Sequence, residues 1–178
     1  MKRDLNELAE QVHEANKNWW IDLETGERKE RNIGELLMLA VSELAEALEG
    51  ERKDLMDDHL PHRKMAEVEM ADFVIRLLDM AGGFNLDLNQ SASYSTLPFE
   101  NKAECLLKLT AHCLTIYEYI THHKMAEWDV YRAIRTAEFY CEKFGYDLWS
   151  AFDEKMEYNK NRKDHSLEHR KSEGGKKF

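Results

Sequence analysis

Apolar residues recur at three- and four-residue spacing in six stretches of this chain, the signature of amphipathic helices rather than strands. The first covers residues 3–19, where Leu5, Leu8, Val12, Ala15 and Trp19 share a face and the aromatic pair Trp19-Trp20 closes the run. A polar segment with a central glycine, residues 22–33, reads as a loop. The second helix spans about 34–50, rich in Leu and Ala, with Gly50 as its stop. Pro61 marks 51–63 as a connection, and the third helix runs 64–82 with Gly82-Gly83 ending it. A Ser-rich link carrying Pro98 occupies 84–100, and helices are predicted over 100–122, 126–143 and 147–161. The last sixteen residues, 163–178, are polar with a Gly pair and a cationic end, and read as a mobile tail.

The third helix breaks the amphipathic rule. Wound at about 100° per residue it is apolar in almost every direction, through Met70, Phe73, Val74, Ile75, Leu77 and Leu78 with the alanines between them. Glu69, Asp72, Arg76 and Asp79 fall together on one narrow stripe. A helix apolar on nearly all sides is buried, and buried carboxylates need a partner or a metal. The stripe asks for a counter-charge.

Composition narrows the class. With only two Pro and eight Gly in 178 residues, the chain reads as all-α and as one domain. A formal net charge of −10 argues against nucleic acid as a partner and suits metal cations, or an anionic substrate presented through them. Cys105, Cys113 and Cys141 form no CxxC pair and leave an odd count, which favours buried thiols in a reducing compartment. The N-terminal MKRDLNELAEQ has no apolar signal core and no run reaches membrane-spanning length, so a cytoplasmic protein is expected.

The second helix supplies more acid. Glu43 and Glu46 are three residues apart and neighbours on its surface, Glu43 at the shoulder of the apolar face and Glu46 beside Ser42. Antiparallel packing of the second and third helices would set the ExxE pair opposite the ExxD pair of Glu69 and Asp72. Four carboxylates in one place require cations. Hard oxygen ligands without nearby His or Cys select Mg²⁺, or Mn²⁺, over zinc. His59 and His62 around Pro61 read as a loop, and His122-His123 as a helix end.

A faint internal repeat lays 35–88 on 104–148, so that the two halves pack as a four-helix bundle. In that alignment His112 and Thr115 stand where the first half has Glu43 and Glu46, and Asp129 and Arg132 where it has Glu69 and Asp72. Chance similarity between two amphipathic helical pairs would give the same picture.

ExxE, a connection of about twenty residues and then ExxD resembles the signature of the MazG-like all-α nucleoside triphosphate pyrophosphohydrolases. The surrounding SELAEALEGERK and EVEMADFVIRLLDMAG, the NWW at 18–20 and the closing KDHSLEHRKSEGGKKF resemble the phage and bacterial branch; 100–143 matches loosely. The resemblance implies Mg²⁺ held by Glu43, Glu46, Glu69 and Asp72, and attack of water on the α-phosphorus of a nucleoside triphosphate to give the monophosphate and pyrophosphate. Glu43 or Glu46 would take the water's proton, and Arg76 and Asp79 would orient the ligands. Lys155, Asn159 and Arg162 share one face of the last helix and resemble the family's KxxxNxxR pattern, in which cationic and amide groups grip the phosphates. Asn16 and Trp20 resemble the part of this branch where an indole could stack on a base; the alternative is that Trp19 is core and Trp20 caps it. A homodimer or higher homo-oligomer is expected.

Other readings compete. A dUTPase or a phosphoribosyl-ATP pyrophosphohydrolase would share the fold class, and a non-catalytic metal- or partner-binding bundle is the rival outside enzymology. A di-iron carboxylate bundle wants two ExxH motifs, whereas the chain has one, Glu10/His13, on the wrong helix.

Overall fold

The computed structural model describes residues 3–89, 99–162 and 166–176. Most of the Ser-rich connection, Pro98 included, and parts of the C-terminal tail lie outside them. The described residues form seven α-helices and no strand. They are α1 (Leu5–Asn16), α2 (Ile33–Lys53), α3 (Met65–Phe84), α4 (Lys102–Thr121), α5 (Glu127–Phe144), α6 (Leu148–Lys160) and α7 (Leu167–Lys171). A short 3-10 turn, Lys17–Trp20, follows α1.

Side-chain caps fix five of the seven helix starts, those of α3 and α5 having none. Asp4, Asn32, Asn101, Asp147 and Ser166 each accept from a backbone N–H of the first turn, satisfying donors that have no partner inside the helix. The stops are another matter. Gly50 does not end α2, which runs to Lys53, and Gly82-Gly83 do not end α3, which runs to Phe84. Asp54 and Asn85 take the left-handed terminal positions instead, at φ 53° and 54°. The three glycines mark close approaches. A Cβ on Gly50 would meet Met65 Cβ at 2.9 Å, one on Gly82 would meet the carbonyl of Ala9 at 2.5 Å, and one on Gly83 would lie 2.2 Å from the Trp20 ring.

Helix α3 sits at the centre, packed on α1, α2, α5 and α6, and α2 also packs on α4 and α4 on α5. Fifteen of its twenty residues are buried, which explains why its sequence is apolar all round. One hydrophobic cluster joins residues of α1 through α6. Cys105, Cys113 and Cys141 are free and buried, and burial pushes the thiols of Cys105 and Cys113 up to about 12. No helix among the described residues is long and apolar enough to cross a membrane. The described tail, 166–176, is not a loose polar strand: α7 buries Arg170, whose guanidinium lies 4.3 Å from the Trp19 ring and donates to the carbonyl of Asn18.

Candidate functional site

Antiparallel α2 and α3 bring carboxylates of Glu43, Glu69 and Asp72 together, with one oxygen of each within 4.8 Å of the others. Glu43 and Glu69 are buried and Asp72 is half-buried. Two cations of the chain reach them. Arg76 Nε donates to Glu43 Oε1 at 3.0 Å, and Lys155 Nζ, on the facing side of α6, pairs with Asp72 Oδ2 at 2.7 Å. Burial alone would lower the Lys155 ammonium, but Asp72 holds it above its ordinary value. Lys155 also touches His59 Nδ1 at 3.3 Å, and His59 stacks on Tyr158.

Glu69 is the exception. The other buried carboxylates on these helices are partnered: Glu67 accepts from Arg63 at 2.9 Å and from the backbone N–H of Asp147 at 2.7 Å, and Asp79 from Trp20 Nε1 at 3.0 Å. Among the described residues Glu69 has no hydrogen bond or ion pair. Burial, then the charges of Asp72 and Glu43, push its carboxyl up to about 9, against a smaller opposing pull from Lys155. Burial raises Glu43 too, while Arg76 works against it. A carboxyl in such surroundings is costly to ionise. Among the described residues Glu69 is the member of the cluster that no cation of the chain pairs with.

The remaining candidates scatter. Glu46 lies one turn along α2 on its exposed side, outside the tight group, though its charge is felt by both Glu43 and Glu69. Three residues turn a helix by about 300°, enough to carry Glu46 around the shoulder to solvent. Asp79 does not serve the cluster as an orienting partner: its carboxylate accepts from Trp20 and lies 3.0 Å from His13 Nδ1, tying α3 to α1. Of the α6 residues, Lys155 reaches the cluster but as the counter-charge of Asp72. Asn159 Oδ1 is buried with no partner, and Arg162 packs 6.0 Å from the Tyr158 ring beyond the helix end. Trp20 is buried, edge-on to His13, with its indole N–H committed to Asp79, so it is not free to stack on a base. Asn16 stands half-buried at the start of the 3-10 turn and makes no capping bond there.

His59 and Asp57 are the residues that the sequence did not bring forward. Asp57 is buried, accepts from the backbone N–H groups of His59 and Leu60, and so fixes the loop that delivers His59 to Lys155. The one signal was the HLPH stretch itself.

The repeat-equivalent positions also converge. His112, Thr115, Asp129 and Arg132 line a single cavity of about 240 Å³ between α4 and α5. Asp129 there is paired with Arg132 at 3.4 Å, and the ring of His112 is held below its usual value by burial and then by Arg132.

Comparison with protein-family models, with curated proteins and with solved structures finds no match. Four carboxylates, counting Glu46, and two cations leave two negative charges unbalanced when all are ionised. All the oxygens are hard donors, and one of the two buried acids, Glu69, is unpaired among the described residues. That donor set fits a hard divalent cation.

Proposed function

We propose that this chain is a Mg²⁺-dependent nucleoside triphosphate pyrophosphohydrolase of the MazG-like type. The unpaired, buried Glu69 carboxyl beside Glu43 and Asp72 is the observation that carries the reading, and the ExxE/ExxD spacing on packed antiparallel helices gives it its chemistry. Glu43, Glu69 and Asp72 would hold the ion, with Mn²⁺ as a substitute. When bound, it neutralises triphosphate charge and acidifies a coordinated water.

The chain's own residues divide the rest of the work. Arg76 pins Glu43 in one orientation. Lys155, held by Asp72 and His59, sits where its ammonium can pass to a phosphate oxygen once a cation takes over Asp72. Asn159 shares its face, and its amide N–H₂ is the group that would donate to a phosphate oxygen. Glu46, open to solvent and one turn from Glu43, is left to accept the proton of the attacking water. Arg162 is assigned the outer phosphates.

A homodimer completes the proposal. Leu107, Leu114 and Tyr117 form an exposed apolar stripe on α4, and Met38 is exposed on neighbouring α2.

Incubating the purified protein with a panel of NTPs and dNTPs and separating the products tests this reading. The expected products are a nucleoside monophosphate and pyrophosphate, formed with Mg²⁺ or Mn²⁺ alone. Orthophosphate, or no turnover with either ion, overturns it; the panel also separates a dUTP-restricted enzyme from a broad one.

A further inference from the structure

A second polar cavity, of about 500 Å³, opens beside the 3-10 turn and carries the opposite charge. Its lining includes Arg28, Lys29 and Arg31 against a single acid, Glu30, with Trp20 and Phe84 as its apolar part. In a chain of net charge −10 such a concentration of cations has a purpose other than solubility.

The wall is fixed in place. Asp22 and Glu27 close a tight turn through Asp22 N–H to Glu27 O at 2.8 Å, and Lys29 N–H donates to Trp20 O at 2.9 Å. Arg28 Nη2 donates to the carbonyl of Gly83 at 2.8 Å, and the guanidiniums of Arg28 and Arg31 both lie 5.6 Å from the Trp20 ring.

Arg31 is the decisive member. It is only 7% exposed and spends Nη1 on the carbonyl of Trp19 at 3.1 Å. Its Nε and Nη2 are buried with no acceptor among the described residues. Asp79, the first carboxylate to act on it electrostatically, is already committed to Trp20 and His13. Arg170 adds further positive charge nearby, and burial, with Arg31 and Arg170, holds the Lys29 ammonium below its usual value. A buried guanidinium with unmet donors is expensive unless an anion supplies the acceptors.

We infer that this cavity binds a phosphate-bearing anion. The volume lies within the range of small-molecule sites. The indole N–H of Trp20 is already taken and its ring is flanked by two guanidiniums, so recognition runs through charge and N–H donors rather than through base stacking. The site is distinct from the carboxylate cluster but abuts it, because Arg31 and Arg76 line one small cleft. The inference does not depend on the hydrolase reading.

Calorimetric titration of inorganic pyrophosphate into the full-length protein, metal-depleted and at low ionic strength, tests it. Without metal the carboxylate cluster repels the probe, so binding reports the basic cavity. Saturable binding is expected, weakened by added salt and by about tenfold or more in R28Q/K29Q, while Glu69→Gln binds as the wild type does. Arg31→Met reads the buried donors separately, and circular dichroism checks that each variant is folded. Absence of saturable binding, or equal binding by folded R28Q/K29Q and R31M, overturns the assignment. Loss of binding in E69Q does the same, by moving the anion to the acid cluster.

Discussion

Glu69 holds its proton far into the alkaline range because α2, α3 and α6 converge on it. Glu43 and Glu46 face it from α2 and Asp72 from its own helix, and Lys155 from α6 pulls the other way. Its folded value of about 9 lies above the ordinary 4.5, so its contribution to metal-free stability is fully present below pH 4.5 and is lost as pH rises through about 9. Thermal melts in metal-depleted buffer should therefore fall between about pH 5 and pH 9, by about 2–4 °C per kcal/mol in a chain of this size. E69Q should flatten that slope, and Mg²⁺ should restore the wild-type melt at pH 8. A melt that rises over this window contradicts the assignment. The same variant should lose about a hundredfold or more in turnover, since it removes a ligand rather than a neighbour. Glu69 and Asp72 were legible because acids on an all-apolar helix have few bland explanations. Asp79 sits on the same stripe yet pairs with Trp20 and His13. A stripe keeps its direction, but the element it faces changes from α2 and α6 to α1 along the helix.

At the level of elements, α1 to α6 were legible in the apolar periodicity and their stops were not. Glycine is the commonest stop signal. Here Gly50, Gly82 and Gly83 instead let α3 come close to α2, to α1 and to Trp20, and only the packed structure separates the two uses. Gly83→Ala should cost about 1–3 kcal/mol or more, because the Trp20 ring stands in the way and is held by Asp79. Chemical denaturation reads it directly, and an unchanged midpoint would mean that the Trp20–Gly83 contact is absent. The Lys155–Asp72 pair was hidden for a different reason. The spacing of Lys155, Asn159 and Arg162 marked a cationic face of α6, but only the docking of α6 on α3 turned one of its cations toward an acid.

On the scale of the whole molecule, the all-α bundle followed from composition and periodicity. His112, Thr115, Asp129 and Arg132, which the faint sequence repeat lays on Glu43, Glu46, Glu69 and Asp72, line one cavity between α4 and α5. There Asp129 is paired with Arg132, and α2 and α3 pack on α4 and α5. Thr115→Ala should then leave turnover within about twofold of the wild type in the product assay, a shift of under about 0.5 kcal/mol. The folded-back α7 was not legible, because its anchor, Arg170 over Trp19 and on the carbonyl of Asn18, is a tertiary contact of a single cation in a polar tail. The exposed stripe on α4 is the interface of the proposed homodimer: on that proposal sedimentation should give twice the chain mass for the wild type, and L107D/L114D should sediment as a monomer.

The cradle of Glu43, Glu69 and Asp72 can be interrogated without assuming a substrate. Titrating the protein into Mn²⁺ and following the paramagnetic signal of the free ion counts the metal bound. Wild-type protein should take up the ion saturably and release it to excess Mg²⁺, whereas E69Q, folded by circular dichroism, should lose that site. Equal uptake by the two proteins, or none by the wild type, would contradict the metal centre and the hydrolase reading built on it.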